Sequence, residues 1–255
     1  MRPPVAALVL TRNEAANIQP CLATLQWTSD LVVVDCGSVD GTVALAQGMG
    51  ARVVHHPWEN WASQRNFALT QTQEPWALFV DADERVPPEL AAEIQERLAT
   101  AERDGHPAGF WIPRENIILG RWVRHAGWAP DYQLRLFRRD RGRYDPARPV
   151  HELVLLDGPA GYLTNRLVHH NYASWGEFWS KQCRYARVEA QGLHARGVRA
   201  KPRNFILQPW REFRRRYWTL QGYREGALGL GLSLLLAGAT FVTYWELARL
   251  GRERQ

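Results

Sequence analysis

Continuous apolar runs at Val5 to Leu10, Leu31 to Val34 and Trp76 to Val80, with a fourth strand signal at Arg52 to His55, are separated by segments of helical spacing. A strand that is apolar at every position has no solvent face, so helices must cover it on both sides. The chain is therefore expected to fold as α/β, with a largely parallel sheet flanked by helices. Helices are read around Ile18, Leu22 and Leu25, from Thr42 through Val43, Leu45 and Ala46, and at Ala62 to Gln73. Another opens at Pro87-Pro88, because a missing N–H does no harm in a first turn. Beyond residue 105, Gly109 to Ile112, Gln133 to Phe137 and Val150 to Leu155 read as strands, which predicts a mixed or antiparallel extension of the sheet. Helical spacing returns from Ser174 to about Gly192.

Strands one, two and four end in polar groups: Thr11, Asp35, and the run Asp81-Ala82-Asp83-Glu84. The carboxyl ends of strands form the ligand-binding rim of an open α/β sheet, so these groups are expected to share one rim. Three carboxylates in four residues repel one another and lose hydration unless a cation joins them. Asp81 and Asp83 are therefore candidate ligands of a divalent metal. Ser38 or Asp40, just before Gly41, is suited to cap the next helix.

At 255 residues the chain can hold one substantial core with a remainder. The expected division is a main domain over 1–195 and a basic, aromatic and hydrophobic helical region over 196–255. Residues 196 to 224 carry nine Lys or Arg against the single acid Glu212, and Gly226 to Trp245 holds no charged residue over twenty positions. That length suffices to cross a bilayer, but four glycines, two threonines and a serine make it only moderately apolar. Arg211, Arg214, Arg215 and Arg216, with Trp210, Tyr217, Trp218 and Tyr223, form a collar of the kind found at the cytoplasmic face of a membrane. Two arrangements follow: a short or re-entrant hydrophobic helix, or an amphipathic pair lying in the interface. Nucleic acid is not expected as a partner, since no nucleic-acid motif accompanies the basic block and the apolar stretch would go unused. Cys21, Cys36 and Cys183 are odd in number and lack metal-ligand spacing, which fits reduced thiols in a cytoplasmic setting. The apolar run after Met1-Arg2-Pro3-Pro4 is too short for a secretory signal core.

Thr11-Arg12-Asn13-Glu14, Val34-Asp35-Cys36-Gly37-Ser38-Val39-Asp40-Gly41-Thr42, Gln64-Arg65-Asn66 and Asp81-Ala82-Asp83-Glu84 together resemble the family 2 glycosyltransferases of the GT-A fold. Gly127-Trp128-Ala129-Pro130-Asp131, Arg135-Leu136-Phe137-Arg138, Val150-His151-Glu152 and His169 to Ser174 resemble the lipopolysaccharide core-biosynthesis branch of that family, the inner-core glucosyltransferases and their relatives. The resemblance implies a Rossmann-like mixed sheet and a D-x-D site in which Asp83, Asp81 and His169 serve Mg²⁺ or Mn²⁺ on a nucleotide-sugar diphosphate. It implies that Thr11, Asn13, Glu14, Asp35, Gln64, Arg65 and Asp81 line the nucleotide-sugar site. The commoner pattern has a second acid, which often reads uracil, where this chain has Cys36; the resemblance still implies uridine, and that departure leaves an adenosine donor such as ADP-heptose open. Inverting transfer needs a base for the acceptor hydroxyl, and Asp131 and Glu152 are the candidates, with Glu152 preferred. Trp128 and His151 are expected on the acceptor side.

The expected activity is transfer of a sugar to a lipid-anchored saccharide, a lipopolysaccharide core above all, at the cytoplasmic face of the bacterial inner membrane. Transfer to polyprenyl phosphate or another envelope glycan is the alternative within the class. A sugar-1-phosphate nucleotidyltransferase would want a Gly-rich loop after the first strand, and Thr11 to Ala16 has no glycine. A non-catalytic sugar-binding module is the third reading, against which the intact acidic positions argue.

Overall fold

The computed structural model describes residues 4–104, 107–146 and 153–252. In chain order it contains β1 (Val5–Thr11), α1 (Ile18–Ala23), β2 (Asp30–Asp35), α2 (Thr42–Gly48), β3 (Arg52–His55), α3 (Trp61–Thr70) and β4 (Trp76–Asp81). There follow β5 (Glu84–Arg85), α4 (Pro88–Asp104), β6 (Gly109–Ile118), β7 (Arg121–Trp122), β8 (Tyr132–Arg138), β9 (Gly142–Tyr144), β10 (Val154–Leu156), β11 (Ala160–Tyr162) and β12 (Leu167–Tyr172). The chain ends with α5 (Trp175–Ala195), α6 (Asn204–Arg214) and α7 (Ala227–Arg252). Two compact units result, one of Met1–Arg114 with Asp131–His169 and one of Glu115–Pro130 with His170–Gln255.

In the first unit the sheet runs β3-β2-β1-β4-β8-β6. β1 is parallel to β2 and β4, and β2 to β3, whereas β8 is antiparallel to both β4 and β6. This is the parallel sheet with an antiparallel extension expected from the sequence. Side chains alternate between faces along a strand. Val5, Ala7 and Val9 therefore share one face with Val33, Leu78 and Val80, and meet Leu22 of α1 and Leu90, Ile94 and Leu98 of α4. Ala6, Leu8, Val32, Val34, Ala77 and Phe79 share the other and meet Ala62, Ala68 and Leu69 of α3. α3 starts where Asn60 accepts a hydrogen bond from the Ser63 N–H at 2.9 Å, and α4 starts at Pro88. The strand read at Val150 to Leu155 is represented by β10, which pairs with β9 in a separate two-stranded sheet, and residues 147–152 lie outside the described residues.

The second unit is built on α5, α6 and α7. Leu228, Leu232 and Leu236 recur at every fourth position of α7 and are buried with Ile118, Val123, Tyr172 and Phe178. Ser174 caps α5 by accepting from the Glu177 N–H at 3.1 Å, and Glu177 accepts from the Ala173 N–H at 2.8 Å. The glycines that lower the hydrophobicity of α7 are packing notches. A methyl group on Gly231 would stand 2.7 Å from the Trp175 ring, one on Gly238 3.2 Å from Trp179, and one on Gly229 1.9 Å from the Gly222 carbonyl oxygen. By length and composition α7 could cross a membrane. Its Leu228, Leu232, Leu236 and Leu247 face is buried, while Leu230, Leu234, Phe241 and Trp245 lie exposed on the opposite side.

Gly229→Ala should lower stability by about 1–3 kcal/mol despite the better helix propensity of alanine, because the clash is with backbone. Gly192→Ala in α5, where a methyl group meets nothing within 4 Å, should raise stability by up to about 1 kcal/mol. Chemical denaturation of the two variants checks the difference in sign.

Candidate functional site

Strand register assembles the rim. Thr11 stands opposite Asp35 across β1 and β2, and Leu10 opposite Asp81 across β1 and β4. The β5–β12 pair sets His169 opposite Glu84. Thr11, Asp35, Asp81, Asp83 and His169 therefore belong to one edge of the first unit.

Around Asp81 the acids are neutralised by arginines that arrive from distant elements. Asp81 Oδ1 accepts from Arg65 Nη2 at 3.0 Å and from Arg135 Nη1 at 3.3 Å, and its Oδ2 accepts from Arg135 Nη2. The Arg65 guanidinium also lies over the rings of Phe79 and Tyr144, 5.4 and 5.3 Å from their centroids. Burial opposes ionisation of Asp81, but Arg135 and Arg65 outweigh it and hold the carboxyl far below the usual carboxylate range. Conversely, burial works against the charge on Arg135, and Asp81 and Glu84 more than restore it. Glu84 is fully buried. Its Oε2 accepts the Asp81 N–H at 2.9 Å, and its Oε1 lies 3.4 Å from Arg114 Nη1 and 3.5 Å from Arg135 Nη2. Arg114 continues to Asp131, whose Oδ2 accepts from Nε at 2.9 Å and Nη2 at 2.8 Å, while Oδ1 accepts from Gln133 at 2.8 Å.

Asp83 differs from its neighbours. Among the described residues no arginine pairs with it, and its Oδ2 lies 3.3 Å from His169 Nε2. Two neighbouring ligands of a six-coordinate ion at ~2.1 Å are about 3 Å apart, so this carboxylate and imidazole fit a shared divalent cation. No group of three or more His, Cys, Asp or Glu among the described residues is arranged to hold a metal.

The Asp35 part of the rim is a hydrogen-bonded turn. Asp35 accepts from Thr11 Oγ1 at 3.2 Å, from the N–H groups of Gly37 at 3.0 Å and Ser38 at 2.9 Å, and from Ser38 Oγ. Gly37 holds φ +91°, a conformation open to glycine. Asn13 N–H donates to Ser38 Oγ at 2.8 Å and Asn13 Oδ1 accepts from Val39 N–H at 2.9 Å, while Glu14 N–H donates to Thr42 Oγ1 at 2.8 Å. The Thr11 to Glu14 and Asp35 to Thr42 motifs are therefore two halves of one laced loop pair. Burial, then the Asp35 charge, raise the Cys36 thiol above its ordinary value. Gln64 is buried and spends its amide N–H groups on the Pro57 and His56 carbonyls at 2.6 and 3.3 Å.

Of the remaining expected groups, one belongs to the second unit and two fall outside the described residues. Trp128 belongs to the second unit, its ring edge-on to Tyr172 at 6.1 Å and tilted against Phe178 at 6.3 Å. His151 and Glu152 lie outside the described residues. Arg114 is not among the expected site residues, and Arg135 entered only through the Arg135-Leu136-Phe137-Arg138 motif; the further signal in the sequence is that a dense acidic run needs cations from somewhere.

A model of the family described as glycosyl transferase family 2 matches residues 7–150. The lipopolysaccharide core biosynthesis glycosyltransferase LpsC of Rhizobium meliloti (strain 1021) is 31% identical over 247 residues, covering 94% of this chain and 88% of its own. An uncharacterized glycosyltransferase of Rickettsia bellii (strain RML369-C) is 37% identical over 105 residues, 41% of this chain and 36% of that protein. Among solved structures, the mannosyltransferase PcManGT from Pyrobaculum calidifontis, in complex with GDP-Man and Mn²⁺, has a TM-score of 0.54 at 16% identity, covering 97% of this chain and 87% of that one. At that identity the likeness is of fold, and the fold is GT-A.

Removing one partner of a buried ion cluster leaves the others uncompensated, so Asp81→Asn should cost about 3–5 kcal/mol at pH 7. A carboxyl held below its unfolded value stabilises the fold above that value and loses the contribution as pH falls through it. The deficit of Asp81→Asn in urea denaturation should thus be full at pH 7 and shrink below about pH 4.

Proposed function

The chain belongs to glycosyl transferase family 2, and from that premise we propose that it moves a sugar, with inversion, from a nucleotide-sugar to a lipid-anchored saccharide of the lipopolysaccharide-core kind. A UDP-sugar is the favoured donor, on the resemblance of the Asp35 turn. The observation that carries the proposal is the Asp83–His169 pair at 3.3 Å, where, among the described residues, no arginine neutralises the carboxylate. Asp83 and His169 would hold Mg²⁺ or Mn²⁺. When bound there, such an ion would supply positive charge to the departing nucleoside diphosphate.

The remaining roles follow from the partners of each side chain. Asp81 fixes the guanidiniums of Arg65 and Arg135 at the rim, where they favour an anionic donor. The Thr11–Glu14 and Asp35–Thr42 loop pair forms the proposed nucleoside side. A base must take the proton from the acceptor hydroxyl. Asp131 accepts from both Arg114 and Gln133, which weakens it as a base, so Glu152 is assigned that role and Asp131 a positioning one. The relation to LpsC, a lipopolysaccharide core enzyme by name, supports the acceptor class. Exposed Ile206, Leu207, Trp210 and Trp218, with Leu234, Phe241 and Trp245 on α7, support docking of the second unit on the cytoplasmic membrane surface. A buried opposite face favours α7 lying in the interface.

Two outcomes are expected. Asp83→Asn should lower metal-dependent release of nucleoside diphosphate by more than about tenfold and abolish the thermal shift produced by Mn²⁺ alone; retention of both would remove the metal role. Glu152→Gln should lower kcat by about 10²–10⁴ while Asp131→Asn stays within about tenfold of the parent, and the reverse order would make Asp131 the base.

A further inference from the structure

The second unit contains a cavity of about 460 Å³ bordered by Gln208, Arg211, Arg214, Arg215, Thr219 and Thr240. Glu212 also borders it, but that charge is already engaged. Its Oε1 accepts from Arg215 Nη2 and Arg216 Nε, both at 2.8 Å, and its Oε2 from Arg215 Nε at 2.9 Å. Burial opposes ionisation of Glu212, and the hydrogen bonds from Arg215 and Arg216 overcome it, so the acid stays charged and orients Arg215. Among the described residues neither Arg211 nor Arg214 has an ion-pair partner. Three guanidiniums against one carboxylate leave the lining positive, and the Gln208 amide and two threonine hydroxyls add neutral donors.

We propose that this cavity binds the phosphate group of an anionic lipid, with a phosphomonoester preferred. Planar guanidinium forks match the oxygens of a phosphate, and a monoester offers three of them where a diester offers two. The surroundings identify the source as lipid. Ile206, Leu207 and Trp210 on α6 are exposed beside the arginines, and exposed Phe241 follows Thr240 directly on α7. Trp210, Phe213, Tyr217 and Trp218 pack ring to ring at 5.3 to 6.0 Å, an aromatic group suited to the headgroup layer. The proposal rests on the membrane-docking part of the function above, and it adds a specific headgroup site.

The test is flotation of the full chain with vesicles containing either phosphatidic acid or phosphatidylglycerol, at matched surface potential in a zwitterionic background. Diffuse attraction depends on surface charge alone, whereas a guanidinium site should favour phosphatidic acid by about fivefold or more. Arg211→Lys with Arg214→Lys keeps the charge and removes the forks, so it should hold phosphatidylglycerol binding within about twofold and lose the preference. Equal binding of both lipids by the parent, or a preference that survives in the double variant, would overturn the site while leaving membrane docking intact. Binding to neither vesicle would overturn the docking and the lipid assignment together. If glycerol 3-phosphate raises the Tm of the parent but not of the double variant while no vesicle is bound, the ligand is a soluble phosphate and the lipid assignment fails.

Discussion

Two guanidiniums, Arg65 from α3 and Arg135 from β8, converge on the Asp81 carboxylate, and this ion cluster ties a helix and an antiparallel strand to the tip of β4. Without it, the acidic run at the strand end would be a group of desolvated like charges. With it, Asp81 and Glu84 are satisfied internally, whereas among the described residues no arginine pairs with Asp83, which lies beside His169. The number of cations that the fold delivers therefore decides which acid is left available. A residue-by-residue reading of Asp81-Ala82-Asp83-Glu84 treats the acids as near equivalents, and they are not.

The opposite side of the rim follows different physics. There the polar groups are joined by hydrogen bonds from neutral donors to two carboxylates: Asp35 receives two backbone N–H groups and two hydroxyls, and Asp40 the Ala15 and Thr42 N–H groups and the Thr42 hydroxyl. Such a turn is rigid because its donors are fixed by the backbone. It suits a shaped recognition surface more than charge chemistry. The hydrogen-bonded turn and the ion cluster are thus on separate strand tips of one sheet, connected through β1.

In the second unit, the glycines of α7 serve close packing against Trp175 and Trp179, and its exposed side keeps Leu230, Leu234, Phe241 and Trp245. A helix divided in this way gains from burial on one face and would gain from an apolar environment on the other. The arginines of the 211–216 segment divide likewise: Arg215 and Arg216 are engaged by Glu212, and among the described residues Arg211 and Arg214 have no ion-pair partner.

The sheet was legible in the sequence because continuous apolar runs and helical spacing are local signals, and the four strand signals in the first eighty residues became β1 to β4. The antiparallel extension was also expected, and β8 and β6 supply it. The rim residues Thr11, Asp35, Asp81 and Asp83 were identifiable because position at a strand end is itself a local property. What the sequence could not express is pairing at long range. Arg65 and Arg135 lie 16 and 54 positions from Asp81 along the chain, and Arg114 reaches Asp131 across 17. Composition and order determined the fold, the family and the rim; the tertiary structure alone decided which carboxylates are neutralised and which one is left, because that depends on where distant cations come to rest.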